Sequence, residues 1–219
     1  MKKIPTTIST VIFDMDGVLI NSEPLWKATE IEVFADLGLD FEAIGGEKTV
    51  GMRIDEVVDY WYERYPWKGK SPQEVVTLIM DKMEDNIRTK GVAMKGVKEL
   101  LDFLSNENYT IALASSSYER LITATLETLA IGHYFKATFS AEHLKHGKPH
   151  PDIYLTAARA LNVSPSECLV IEDSLNGVKA GKAAAMFVIA IPDGTHSVTE
   201  IATADIQLDN LLEVIELMN

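Results

Sequence analysis

Val11-Ile-Phe-Asp-Met-Asp-Gly17 joins a short apolar run to two aspartates and a glycine. The β-branched and aromatic residues favour a buried strand, and the change to Asp14 and Asp16 marks its end. Two carboxylates at a strand end can attract a divalent cation, leave one oxygen as a nucleophile and place the other for proton transfer. Taken alone, the segment fits an Asp-rich turn equally well. The rest of the chain must separate these two interpretations.

Other apolar runs resemble this one in length and in their β-branched composition. The strands predicted from them lie at 8–13, 109–114, 137–140, 168–171, 186–191 and 206–208. Segments of helical length separate the later strands, at 97–104, 118–129, 152–161 and 175–185. Alternation of strand and helix predicts an α/β fold with a doubly wound, parallel, Rossmann-like core sheet.

The stretch 22–95 breaks this alternation, because it carries long amphipathic patterns and no convincing strand. Helices are predicted at 23–37, 53–65 and 72–89, which would form a small bundle inserted after the first strand. We therefore expect a core built from 1–21 and 96–219, interrupted by a helical domain at 22–95.

The charge of the chain narrows the choice of ligand. Its 33 acidic residues outnumber 20 Lys and Arg, for a formal net charge of −13. Such a field repels a polyanion, so nucleic acid is not an expected partner. A small phosphorylated metabolite is also anionic and would need a local remedy, such as a bound cation, a positioned lysine or a helix N-terminus.

Cys168 is the only cysteine of the 219 residues, so no internal disulfide can form. Its apolar neighbours are typical of a buried strand, and a reducing compartment fits. The beginning of the chain lacks the apolar stretch of a signal peptide, and no segment reaches the ~18 apolar residues of a membrane span. We expect a cytoplasmic monomer.

Ser115, Ser116 and Ser117 follow the second predicted strand and precede a helix. Hydroxyls and free backbone N–H groups at such a position suit the oxygens of a phosphate. Ser115, which lies nearest the strand, is the functional candidate. For Ser117 the favoured interpretation is a routine helix N-cap.

Lys148 lies between Gly147 and Pro149, in a loop where its ammonium could partner a phosphoryl group. Without the other motifs, a solvated surface lysine would be the better interpretation. Three histidines at 143, 146 and 150 raise the alternative of zinc, but no cysteine accompanies them and Gly-Lys-Pro interrupts any shared helical face.

Glu172 and Asp173 end the strand predicted at 168–171, which gives the chain a second acidic pair at a strand end. The carboxyl ends of parallel strands meet at one edge of a sheet, where ligands bind. Oxygen ligands from two strands could therefore converge on one hard cation. This combination favours a metal site over four unrelated turns.

In chain order, the motifs are Asp14-Met-Asp16, Ser115, Lys148 in Gly-Lys-Pro-His-Pro-Asp, and Glu172-Asp173 in Ile-Glu-Asp-Ser. Together they resemble the haloacid dehalogenase-like hydrolase superfamily over nearly the whole chain. The insert at 22–95 is similar to that family's α-helical cap, in the branch of β-phosphoglucomutase and of sugar-phosphate phosphatases such as those of 2-deoxyglucose 6-phosphate. The resemblance implies a phosphatase of small phosphomonoesters, with hexose or hexitol phosphates as plausible substrates.

The resemblance also implies a role for each matching residue. Asp14 would attack phosphorus, and Asp16 would protonate the leaving alcohol and then activate water. Mg²⁺ would be held by the Asp14 side chain, the Asp16 backbone carbonyl and Asp173, with Glu172 nearby. Because Asp16 must carry a proton, we expect its surroundings to be drier than those of Asp14.

Substrate contacts are expected on both sides of the reacting group. The resemblance implies that Ser115, with Ser116 beside it, and Lys148 would hold the transferring phosphoryl group. From the cap, Arg53 could contact a hydroxyl-rich or anionic group and Trp26 could face the substrate. Packing within the cap is an equally good interpretation of Trp26.

Two departures from the family's patterns narrow the reaction. Trp26 occupies the position where the mutase pattern has a histidine, which weakens a mutase assignment. Asp16 is retained, whereas a haloacid dehalogenase would not normally keep it. Hydrolysis of a phosphate ester remains the leading hypothesis, with a phosphosugar mutase and a catalytically silent regulatory binder as alternatives.

Overall fold

The structure is a computed structural model that describes residues 3–49, 52–192 and 202–219. Its strands are β1 (Thr10–Phe13), β2 (Thr110–Ser115), β3 (Ala137–Ser140), β4 (Cys168–Glu172), β5 (Phe187–Ala190) and β6 (Ile206–Gln207). Its helices are α1 (Glu23–Asp36), α2 (Ile54–Arg64), α3 (Pro72–Lys90), α4 (Val97–Asn106), α5 (Glu119–Thr128), α6 (Asp152–Leu161), α7 (Leu175–Ala183) and α8 (Leu212–Met218). Each strand predicted from the sequence is confirmed, with differences only at the ends.

The strands form one sheet in the order β3-β2-β1-β4-β5-β6, and all neighbouring pairs are parallel. This confirms the predicted α/β class. The chain order reverses between β1 and β4, and a crevice opens at the carboxyl ends of the strands where such a reversal occurs. Asp14 follows β1 and Asp173 follows β4, so both lie beside this crevice.

Alternate residues of each strand pack on opposite faces of the sheet. Val11 and Phe13 belong to the larger hydrophobic cluster, whereas Ile12 belongs to the smaller one on the other face. The smaller cluster is rich in alanine, including Ala112 and Ala114, which allows helices to approach the sheet closely. Burial on both faces explains why these strands are continuously apolar in sequence.

Helices α1, α2 and α3, here called the helical insert, follow β1 in the chain, as predicted. Ser71 begins α3 with a capping box, in which its hydroxyl accepts from the Glu74 N–H and the Glu74 carboxylate accepts from the Ser71 N–H at 2.7 Å. The chain leaves and returns side by side, because the Asn21 N–H donates to Val92 O at 2.9 Å. The domain limits at 22–95 stay a prediction.

Helix α8 and the absence of a described membrane-spanning helix bear on the remaining predictions. The C-terminal helix α8 was not predicted, because its seven residues are too few to show a clear helical period. Within the described residues, no helix has both the length and the apolar character of a membrane span.

Candidate active site

Lys148 brings the ends of β1 and β4 together. Its Nζ donates to Asp14 Oδ1 at 2.6 Å, to Glu172 Oε1 at 2.7 Å and to the Ala114 carbonyl oxygen at 3.2 Å. All three side chains are buried, with Lys148 and Asp14 each 6% exposed and Glu172 fully enclosed. A buried ammonium between two carboxylates is the predicted phosphate partner, placed directly against the predicted nucleophile.

Burial and mutual charge set the pKa values of this group. Burial raises the pKa of Asp14 to about 7, because the lowering effect of Lys148 is opposed by the nearby charges of Glu172 and Asp16. For Glu172, burial also favours the neutral form, but Lys148 outweighs it and holds the pKa below its usual range. Lys148 stays protonated, since Asp14 and Glu172 raise its pKa well above the usual value despite burial.

Tyr154 and Gly177 both accommodate the buried carboxyl of Glu172. Tyr154 donates its hydroxyl to Glu172 Oε1, and Ser174 Oγ donates to Glu172 Oε2 at 3.2 Å. Gly177, in the first turn of α7, leaves the space that the carboxyl occupies, because a Cβ there would lie 1.8 Å from Glu172 Oε1. Tyr154 was not predicted as a site residue, because it lies on α6, six residues after Lys148, and its local sequence carries no signal for this contact.

Asp14, Glu172 and Asp173 each offer a carboxylate oxygen, and these oxygens lie within 4.8 Å of one another. Gly17 permits this approach, since a Cβ at that position would lie 2.1 Å from Asp173 Oδ2. Hard oxygen donors in this number fit a hard divalent cation. The predicted contribution of the Asp16 backbone carbonyl stays a prediction.

Asp16 is held by three donors from two sides of the site. Ser22 Oγ donates to Asp16 Oδ1 at 2.6 Å, Trp26 Nε1 donates to the same oxygen at 3.0 Å, and Ser117 Oγ donates to Oδ2 at 2.7 Å. The carboxyl is therefore fixed in orientation by the helical insert and by the loop after β2. Trp26 lines the cavity and also packs against the hydrophobic core, and its contact with a substrate stays a prediction.

Two sequence expectations about this region are wrong. Asp16 is partly exposed, whereas Asp14 is buried and hydrogen-bonded to Lys148, so Asp16 does not have the drier surroundings. Ser117 does not cap α5, because the N-cap residue is Tyr118 and the Ser117 hydroxyl is used by Asp16. The sequence signal for the contact with Asp16 was the position of Ser117, as the third consecutive serine at the end of β2.

The predicted phosphate serines lie at the same cavity. Ser115 Oγ accepts from the Ser117 N–H at 3.0 Å, which fixes the loop after β2. Ser116 Oγ is buried and has no hydrogen-bond partner in the described parts of the chain. A buried hydroxyl without a partner is costly, so a bound oxygen that pairs with Ser116 would be favoured.

A cavity of about 100 Å³ lies between the sheet edge and the helical insert, with room for several water-sized groups. Asp14, Asp16, Lys148 and Asp173 form its inner end, together with the three serines. The outer wall comes from the helical insert and from residues that flank its helices, and it comprises Ser22, Glu23, Trp26, Glu30, Thr49, Met52, Ile54, Val57 and Met80. The shape suits a small molecule held between the two parts.

Arg53, the other predicted substrate contact from the insert, is placed differently. Its Nη1 donates to the Leu144 carbonyl oxygen at 3.0 Å and its Nε donates to Asp55 Oδ1 at 2.6 Å. Arg53 is not among the described residues that line the cavity. These contacts join α2 to the loop after β3, and a role in substrate binding stays a prediction. In that loop, His146 and His150 lie together, with ring centroids 4.8 Å apart.

Glu30 is a carboxyl on the outer wall that sequence analysis did not single out. Burial raises its pKa to about 8, and the charge of Glu23 on the same helix acts in the same direction. Glu23, Trp26 and Glu30 lie on one face of α1, because residues three and four apart are neighbours on a helix. Near neutral pH, Glu30 is therefore mainly an uncharged acid.

We expect Glu30→Gln to stabilise the protein more as pH rises from 4.5 towards 8. Over this range the unfolded state loses the Glu30 proton while the folded state keeps it, so the free energy of unfolding of the wild type falls. Below 4.5 the two proteins should differ little, and above 8 the difference should be constant. Urea denaturation across this range measures it, with Glu32→Gln on the exposed side of α1 as control. A pH-independent difference would contradict the prediction.

Comparison with known proteins identifies the same family that the sequence motifs resemble. Residues 11–191 match the family described as "Haloacid dehalogenase-like hydrolase". The chain is 39% identical to "Hexitol phosphatase B" of Escherichia coli strain K12 over 212 residues, which is 96% of each protein. It is 31% identical to "Beta-phosphoglucomutase" of Bacillus subtilis strain 168, over 85% of this chain and 84% of that protein.

Among solved structures, CbbY of Rhodobacter sphaeroides in complex with phosphate aligns with a TM-score of 0.85 at 24% identity, over 94% of this chain and 96% of that one. At this identity the likeness shows the fold alone. The matched family spans β1 to β5 and includes the four motifs at the strand ends. The chain therefore belongs to the haloacid dehalogenase-like hydrolase family.

Proposed function

We propose that this protein is a magnesium-dependent phosphatase that hydrolyses small phosphomonoesters of sugars or sugar alcohols through a phosphorylated aspartate. The proposal rests on the different surroundings of Asp14 and Asp16, the two aspartates of one motif. Asp14 lies against the buried ammonium of Lys148, whereas Asp16 is oriented towards the cavity by Ser22, Trp26 and Ser117. A nucleophile and a separate proton donor need these two settings.

In the proposed reaction an Asp14 carboxylate oxygen attacks phosphorus and the bond from phosphorus to the ester oxygen breaks. Asp16 gives its proton to the departing alkoxide, so the alcohol leaves neutral. Asp16 then takes a proton from water while the water oxygen attacks the aspartyl-phosphate. The acyl phosphate bond breaks, inorganic phosphate leaves and Asp14 is regenerated.

Phosphoryl transfer depends mainly on positioning and on neutralising charge at the equatorial oxygens. The Lys148 ammonium supplies one positive charge at Asp14, and the Ser116 hydroxyl, which has no partner among the described residues, supplies a donor. Lys148 faces two carboxylates already, so one cation does not balance the group. An anionic substrate adds to this imbalance.

Asp14, Glu172 and Asp173 would hold Mg²⁺, and their oxygen donors fit that ion. When bound, Mg²⁺ would supply positive charge to the reacting phosphoryl group. The raised pKa of Asp14 fits this assignment, because burial and the nearby charges of Glu172 and Asp16 disfavour its ionised form, and a bound cation would offset that cost.

The substrate class is supported by the relatives named above, one called a hexitol phosphatase and one a β-phosphoglucomutase. Trp26 favours hydrolysis over the mutase reaction. Its indole nitrogen donates to Asp16 but cannot exchange a proton there, unlike the histidine of the mutase pattern.

We also propose that the helical insert acts as a cap. The buried Cys168 thiol fits the expected cytoplasmic location.

The test is release of inorganic phosphate by the purified protein from hexitol and hexose phosphates, with Mg²⁺, with excess chelator, and with Mg²⁺ restored. We expect turnover that chelator abolishes and Mg²⁺ restores. Turnover that persists in chelator would refute the metal dependence. Conversion of β-glucose 1-phosphate to glucose 6-phosphate without phosphate release would instead support the mutase.

A further inference from the structure

Glu30 reaches the cavity from α1, on the helix face that also carries Trp26. Trp26 contacts Asp16, which marks the reacting end of the cavity. Glu30 lies one helical turn further along, and a turn of α-helix rises about 5.4 Å. Glu30 and Asp14 line the same cavity, so the non-reacting part of a substrate whose phosphate meets Asp14 could contact Glu30.

The helical insert gives its side of the cavity both apolar and polar side chains. Val57 from α2 and Met80 from α3 line the cavity on the insert side. None of the described residues donates a hydrogen bond to the Glu30 carboxyl. Glu30 is partly exposed to the cavity, so a ligand that fills the cavity displaces water from its carboxyl, and a ligand hydroxyl would keep that carboxyl hydrogen-bonded.

The outer wall also disfavours a charged ligand. Among the described residues that line the cavity, Lys148 is the only cation, and it is already paired with Asp14 and Glu172. Arg53 directs its guanidinium to Asp55 and to main-chain carbonyls instead. A second anionic group at the outer end would be desolvated without a counter-ion.

We propose that Glu30 determines specificity by hydrogen bonding to a hydroxyl of an uncharged substrate tail, so that the enzyme favours polyol phosphates over substrates with a second anionic group. This inference rests on the proposed phosphatase function and names the residue that contacts the part of the substrate beyond the phosphate. The raised pKa of Glu30 supports it, since an uncharged carboxyl both donates to and accepts from a hydroxyl.

The experiment compares three phosphate esters with the Mg²⁺-loaded enzyme. Sorbitol 6-phosphate and 6-phosphogluconate have the same carbon chain and differ at the far end, where one has a hydroxyl-bearing carbon and the other a carboxylate. Methyl phosphate has no tail and reports the chemistry alone. We expect the wild type to favour sorbitol 6-phosphate over 6-phosphogluconate by at least about tenfold in kcat/KM, as for one lost hydrogen bond and an unpaired charge.

Glu30→Leu should lower the ratio of kcat/KM for sorbitol 6-phosphate to that for methyl phosphate by about tenfold. Glu30→Gln has a donor and an acceptor and should keep this ratio within about threefold. Glu30→Lys should raise the kcat/KM for 6-phosphogluconate relative to that for sorbitol 6-phosphate by about tenfold or more, because the lysine supplies the missing counter-ion. Glu32→Gln, on the exposed side of the same helix, should resemble the wild type.

A Glu30→Leu ratio equal to that of the wild type would overturn the inference, as would a Glu30→Gln ratio as low as that of Glu30→Leu. Should Glu30→Leu fail to turn over methyl phosphate, the Gln and Lys variants decide, and an unchanged preference in Glu30→Lys overturns the inference. Failure of the phosphatase function looks different, because the wild type then releases no phosphate from any of the three esters.

Discussion

Asp14→Asn should abolish phosphatase activity, with kcat reduced by at least about 10⁴-fold, as expected when a covalent nucleophile is removed. The amide has nearly the same shape as the carboxylate but cannot form the acyl phosphate. No phosphorylated protein should be trapped from the variant after mixing with substrate and rapid acid quenching. The measurement is phosphate release together with protein-bound label from a radiolabelled substrate.

This variant should fold at least as well as the wild type. Burial raises the pKa of Asp14, so its ionised form is costly in the metal-free folded protein and an uncharged amide removes that cost. Asp85→Asn, an exposed position on α3, is the matched control and should keep full activity. Appreciable turnover by Asp14→Asn at wild-type levels of folded protein would sink the proposed nucleophile.

Lys148→Met should lower kcat by about 10²- to 10⁴-fold, because the variant loses a positive charge aimed at the transferring group. It should also lose about 3–5 kcal/mol of stability, since Asp14 and Glu172 would stay buried beside each other without the ammonium between them. Losing Lys148 should raise the pKa of Asp14 further. Steady-state kinetics with Mg²⁺ measure the change in kcat, and urea denaturation in metal-free buffer measures the change in stability.

Lys145→Met is the control for this experiment, since Lys145 lies in the same loop and is exposed. It should change neither kcat nor the free energy of unfolding. If Lys148→Met is too unstable to assay, Lys148→Arg keeps the charge but alters its shape and should lower kcat with a smaller loss of stability. Wild-type kinetics in both Lys148 variants would show that the ammonium does not take part.

The sheet could be predicted from the sequence because its signals are local. Ile12 and Val170 are buried in apolar runs of the length of a strand, and such runs need no knowledge of distant residues. The end of each run placed Asp14, Ser115 and Asp173 at strand ends, and parallel strands bring their carboxyl ends to one edge. The cluster of Asp14, Glu172 and Asp173 was predictable for the same reason.

The hydrogen bond between Ser117 and Asp16 was not predictable, because it joins residues far apart in the chain. Ser117 and Asp16 are 101 positions apart, and their hydrogen bond depends on how the loop after β2 turns at the sheet edge. Tyr154 reaches Glu172 from α6, which packs on the face of the sheet opposite the larger hydrophobic cluster. Nothing in the local sequence of either residue marks these contacts.

The segment from Val11 to Gly17 shows the division most clearly. Its sequence by itself determined a buried strand that ends in two carboxylates, since side-chain shape and hydropathy act over a few neighbouring residues. Only the tertiary structure decided that Asp14 lies buried against Lys148 while Asp16 faces the cavity and Trp26. Burial and charge pairing depend on distances through space, which the folded chain alone establishes.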